Sequence, residues 1–146
     1  MTVQSVLMSG VVVLAVVFPG DWGNRAVRVA GLAALVAGAA FGISGALALK
    51  GNRTIFPQPK PHSQLVQRGI YARVRHPLYT SVMLVSLGWA LLWQSVPALV
   101  TAIALMPFLV AKAQKEEGWL RQKFPDYADY EKRVPRFVPH LRARRP

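Results

Sequence analysis

The chain has 146 residues, a net charge of +12, 53% hydrophobic residues and no cysteine. The length fits one domain, and the missing cysteines exclude disulfides, thiolate catalysis and cysteine-ligated metals. The apolar residues lie in long blocks rather than in a helical or strand period, and the bases flank those blocks. The charge therefore suits anionic lipid headgroups and not nucleic acid.

The first block runs over residues 3–18 and is near the short end of what crosses a bilayer, roughly 17–25 residues. No Lys or Arg precedes it and no small-residue cleavage site follows, so it reads as a span and not as a cleaved leader. Pro19-Gly20-Asp21-Trp22-Gly23-Asn24 is a turn, with Trp22 suited to a membrane interface. The second block, 26–49, is rich in alanine and glycine, and Gly38-x-x-x-Gly42 fits close helix approach. Packing within the chain is the plainer use of these glycines; a dimer is the alternative.

Residues 50–77 form a long polar loop with Lys50, Arg53, Lys60, Arg68, Arg73 and Arg75 and no acid. Alternating prolines at 57, 59 and 61 predict an extended segment there. Two further blocks, 78–93 and 96–111, are predicted to form a helical hairpin turning at Gln94-Ser95-Val96-Pro97, with Ser95 as helix cap. Pro107 is expected to free a carbonyl in the fourth helix. The tail, 112–146, carries ten bases and five acids. A separate helix is expected from Lys112 to Phe124, a short one after Pro125, and a surface tail from Pro135 onward. The turn at 19–25 holds one base and one acid, so the positive-inside rule puts the 50–77 loop, the tail and both termini in the cytoplasm. The expected fold is therefore all-α: an integral membrane bundle of about four transmembrane helices, with a cytoplasmic loop and C-terminal helix building one site.

Two clusters carry chemistry. Arg75-His76-Pro77-Leu78-Tyr79 puts a cation, an imidazole and a phenol at the edge of an apolar block, and Glu116-Glu117 follows the next one. Polar groups at membrane edges have functional work as their default reading. Tyr71 and Lys112 complete the set. Of the two acids, Glu116 is assigned to the site and Glu117 to a solvated face. Adjacent carboxylates on one helix diverge, which excludes a glycosidase pair. Two nearby histidines, His62 and His76, are too few for a metal site, so no metal is expected. No GxSxG, P-loop or GxGxxG motif occurs. A carboxylate among aromatics suits a cationic ligand.

The run Gly69-Ile70-Tyr71-x-x-x-Arg75-His76-Pro77-x-Tyr79, an apolar hairpin, Glu116-Glu117-x-x-Leu120-x-x-x-Phe124-x-x-Tyr127-x-x-Tyr130 and Arg133-Val134-Pro135 resembles the isoprenylcysteine carboxyl methyltransferase family, part of a wider group with the phospholipid N-methyltransferases. The resemblance spans about residues 59–139. It implies a membrane methyltransferase using S-adenosylmethionine bound on the cytoplasmic side. Ser63, Gln64, Leu65 and Val66 would line that pocket from the loop. Tyr71 would pack on the cofactor, His76, Pro77, Leu78 and Tyr79 would form a second wall, and Glu116 a third. His76, Tyr79 and Arg75 are the catalytic candidates. Lys112 stands where the prenylcysteine enzymes carry an arginine for the substrate carboxylate; it keeps the charge and loses the bidentate fork. Ser81 replaces a frequent glycine, and Pro125 departs from the usual pattern. The acceptor would be a lipophilic or lipidated molecule entering from the bilayer, a thioether carboxylate first and a phospholipid amine second. A reductase-type nicotinamide site and a non-catalytic lipid-binding protein of the same fold remain as alternatives, and oligomeric state is open.

Overall fold

The computed structural model describes residues 2–49 and 65–139, and these are helical, with no strand among them. The helices are α1 (Thr2–Val17), α2 (Arg25–Ala48), α3 (Pro77–Leu92), α4 (Val96–Lys123) and α5 (Tyr127–Arg133), with a 3-10 turn at Gly69–Ala72. Local chemistry sets their starts. Asn24 caps α2 by accepting from the Ala26 amide at 2.9 Å. Ser95 caps α4, and Pro97 lies in its first turn. Pro77 opens α3, but the preceding His76 makes no side-chain cap bond, which leaves its imidazole for other work.

Where four similar spans were expected, the described residues contain two helices long and apolar enough to cross a bilayer, α2 and α4. The other two, α1 and α3, have 16 residues each, or about 24 Å at 1.5 Å per residue, short of a hydrocarbon core of about 30 Å. A second correction concerns α4. It does not end near Ala111 but continues unbroken through Pro107 and on to Lys123, absorbing the separate tail helix. Residues 112–123 are mostly good helix formers with no breaker before Pro125, so nothing stops the helix at the end of its apolar part. The paired glutamates thus stand on a rigid extension of the span. Outward-facing Val12, Val16, Val29, Leu32, Val36, Ile43, Val100 and Ile103 give the bundle an apolar exterior that water would not tolerate and lipid would. This is an integral membrane protein.

The chain packs α1 on α4 and α3, α3 on α4, and α2 along α3. Glycine makes the last contact so close. A Cβ on Gly31 would lie 2.8 Å from the Gly88 carbonyl oxygen, and one on Gly88 2.7 Å from that of Gly31. Ser81 donates to the Gly38 carbonyl across the same seam at 2.6 Å. The glycines of α2 are therefore used for close packing within the chain. Gly88→Leu should lower the thermal midpoint in detergent by the equivalent of about 3 kcal/mol, since the clash is with backbone. In Gly118→Ala nothing lies within 4 Å of the new Cβ, and the midpoint should rise slightly because alanine is the better helix former.

At the end opposite His76, Gln94 turns the chain between α3 and α4 with φ 51° and is 1% exposed. Its left-handed backbone costs about 1–2 kcal/mol. The side chain offsets this by accepting from the Trp22 amide at 2.6 Å and donating to the Asn24 carbonyl at 3.1 Å, tying the two turns together.

Candidate functional site

The site forms where the start of α3, the extension of α4 and the tail meet. The tail pairs with the two residues just before α3: the Arg75 amide donates to the Pro135 carbonyl at 2.9 Å and the His76 amide to that of Arg136 at 3.0 Å. Thr80 donates its hydroxyl to the Phe137 carbonyl at 2.9 Å. This corrects the expected surface tail from Pro135 on. Residues 134–137 fold back onto the RHPLY segment, with Val134 buried beside Tyr127 and Tyr130.

Glu117, expected on a solvated face, is 0% exposed and is the centre of the polar network. His76 Nε2 donates to its Oε1 at 3.0 Å, a carboxylate being an acceptor only. Arg136 grips it with Nε at 3.0 Å and Nη2 at 2.7 Å, a bidentate fork. Arg75 Nη2 lies 3.3 Å away and Arg121 Nη2 3.8 Å away. A second carboxylate, Glu131 of α5, takes Arg75 Nη1 at 2.8 Å and two bonds from Arg121 at 2.8 Å. Arg75 thus ion-pairs with Glu117 of α4 and Glu131 of α5, while its buried Nε has no hydrogen-bond partner among the described residues.

Glu116 faces the other way, as adjacent helical residues must, about 100° apart. Its Oε2 accepts from the Tyr79 hydroxyl at 2.9 Å and lies 3.9 Å from His76 Nδ1. The His76 and Tyr79 rings stack at 5.4 Å with planes 10° apart. The imidazole is thus wedged between the two glutamates, joining the buried network to the Glu116 wall. Lys112, one turn before Glu116, holds its ammonium 5.3 Å from the Tyr79 ring centre. Tyr71 is half-buried and its carbonyl accepts from the Tyr130 hydroxyl at 2.7 Å. Burial, then the nearby Glu116 charge, pushes its phenol well above the ordinary range, so it stays protonated.

The structure brings Tyr71, His76, Tyr79, Glu116 and Lys112 together. It turns the Pro77 and Leu78 side chains toward Gly45 of α2. Leu65 packs on the Tyr127 and Tyr130 cluster, and Val66 is half-buried. Ser63 and Gln64 lie outside the described residues. Sequence reasoning missed Glu117, Glu131 and Arg136. The signal available for Arg136 was its place directly after the Arg133-Val134-Pro135 run.

Glu131 carries a pH prediction. The hydrogen bond from Arg121, then that from Arg75, hold its carboxyl down at about 2, against partial desolvation. A depressed folded value means stabilisation that is complete above the unfolded carboxyl value and lost as pH falls toward the folded one. Docking of α5 should therefore weaken between about pH 4.5 and pH 2. Protease accessibility of the tail should rise across that window, and Glu131→Gln should flatten the contribution.

A family model described as phospholipid methyltransferase matches residues 26–127. A cobalt-zinc-cadmium resistance protein, CzcN, of Cupriavidus metallidurans is 34% identical over 85 residues, 56% of this chain and 38% of that protein. Protein-S-isoprenylcysteine O-methyltransferase B of Arabidopsis thaliana is 33% identical over 82 residues, 55% of this chain and 42% of the enzyme. The solved structure of a eukaryotic intramembrane Ras methyltransferase, isoprenylcysteine carboxyl methyltransferase, superposes with TM-score 0.75 at 22% identity, covering 96% of this chain and 52% of that one. The chain thus spans about half the length, or less, of these relatives. With a family match over most of its length, the chain belongs to the phospholipid methyltransferase family, and it shares its fold with the solved isoprenylcysteine carboxyl methyltransferase.

Proposed function

We propose that this protein is a membrane methyltransferase that uses S-adenosylmethionine to methylate a carboxylate on a lipophilic, isoprenylcysteine-like acceptor. The observation that carries the reading is the wedge of His76 between Glu116 and Glu117, with Tyr79 stacked on it and the Tyr71 phenol in reach of the Glu116 charge. The donor set fits the cofactor. Glu116 gives one oxygen to Tyr79 and keeps lone pairs for an ammonium or hydroxyl, while the aromatic faces suit a cationic sulfonium. When bound, S-adenosylmethionine supplies an electrophilic methyl group on a sulfonium.

The protein's own part is to bind, orient and exclude water, and positioning of this kind is worth on the order of 7–11 kcal/mol. Tyr79 orients Glu116, and Glu117 orients His76. An amine acceptor would have to lose a proton to a base. His76 is the natural candidate, but its side chain is 5% exposed, Nε2 is committed to Glu117, and Nδ1 faces Glu116. This favours an acceptor that is already ionised. The likeness to the isoprenylcysteine O-methyltransferase supports the same choice, while the family description keeps phospholipid amines as the second acceptor class. In this reading the tail, both termini and the site are cytoplasmic, and the acceptor arrives sideways from the bilayer.

Calorimetric titration of the purified protein should show binding of S-adenosylmethionine and none of NADPH. Incubation with methyl-labelled cofactor and prenylated carboxylates should place label in the ester. Label in a phospholipid headgroup would select the amine reading, and binding of NADPH alone would overturn both.

A further inference from the structure

Gln4 and Lys112 meet across the α1–α4 seam, although 108 residues separate them. The Lys112 ammonium donates to Gln4 Oε1, and Gln4 in turn donates to Met8 Sδ at 3.6 Å. The same ammonium hangs over the Tyr79 ring, whose hydroxyl is bonded to Glu116. Gln4, Lys112, Tyr79 and Glu116 therefore form one polar chain across α1, α4 and α3. Lys112 is half-buried, yet none of the ion pairs among the described residues includes it. Its partners are a neutral amide and an aromatic face. The Glu116 charge, one turn away, acts on it through space, but no carboxylate among the described residues is bonded to it, and an ammonium with three donors keeps some for an anion.

We propose that Gln4 is a positioning residue that holds the Lys112 ammonium over Tyr79 to receive the anionic group of the acceptor, so that α1 takes part in acceptor selection. The proposal rests on the methyltransferase reading of the same site. A neutral amide suits this role because it aims the ammonium without cancelling its charge, as a carboxylate in its place would.

The test uses the full chain in detergent and two probes, N-acetyl-S-farnesylcysteine and its methyl ester, which share the lipid tail and differ in the charge. Wild-type protein should bind the acid about 10-fold tighter than the ester, the scale of one charge-assisted hydrogen bond. Gln4→Glu has nearly the same size and should bring the two within about 2-fold by filling the ammonium's empty place. Its affinity for the ester and for S-adenosylmethionine should be unchanged, which a merely structural defect would not allow. An unaltered acid preference in Gln4→Glu, or no preference in the wild type, overturns the role of Gln4 while the cofactor titration still stands. A wild-type protein that binds neither probe nor S-adenosylmethionine overturns the methyltransferase reading and this proposal with it.

Discussion

Glu117→Ala should release the tail and cost about 3–5 kcal/mol of stability, the scale of a broken buried ion pair. The carboxylate is fully buried and faces His76, Arg75 and Arg136, with Arg121 at its edge. Removing it strands at least two guanidiniums in a low-dielectric pocket with one remaining acid, Glu131, to share. The lost charge costs more than the lost contact, because each unpaired cation must find water or move. The movable element is the tail, which leaves α5 and residues 134–137 to come away first. Thermal unfolding in detergent and limited proteolysis of the tail read the two parts of this effect. Glu117→Gln keeps the shape and should still lose most of the stabilisation, since the amide cannot accept a bidentate fork. A tail as protected in Glu117→Ala as in the wild type would show that the network does not hold it.

Glu116→Ala should do the reverse: leave the fold near wild-type stability and weaken S-adenosylmethionine binding by about 10- to 100-fold, the range of one or two charged hydrogen bonds. Glu116 is the more exposed of the two acids, at 26%, and among the described residues its side-chain hydrogen bond comes from the Tyr79 hydroxyl, with His76 Nδ1 at 3.9 Å. Tyr79→Phe removes that bond alone and should cost only a few-fold. Calorimetric titration of both variants alongside His76→Ala checks the order. Equal affinity in Glu116→Ala and wild type would take the cofactor away from this wall. The contrast between neighbouring residues is the sharper test, because a general loss of structure would lower binding and stability together.

Much of this protein was readable from local pattern. The apolar blocks and the capping Ser95 set helices close to those found, because hydrophobic runs and unsatisfied helix ends are local in chain order. RHPLY and the paired glutamates marked the candidate site for the same reason: charge beside an apolar run stands out without any partner being known. The expectation of four similar spans met two long helices and two of 16 residues, because apolar composition reports solvent preference more directly than helix length.

What the sequence determined by itself was therefore the membrane character, the helical elements and the set of residues that could do chemistry. Only the tertiary structure decided which glutamate is buried, that the tail returns to satisfy the Arg75 and His76 amides, and that Gln4 reaches Lys112. Those outcomes depend on the rotation of α4 against α3 and α1. About 100° of helix phase separates Glu116 from Glu117, and no local pattern states which side a neighbouring helix will cover.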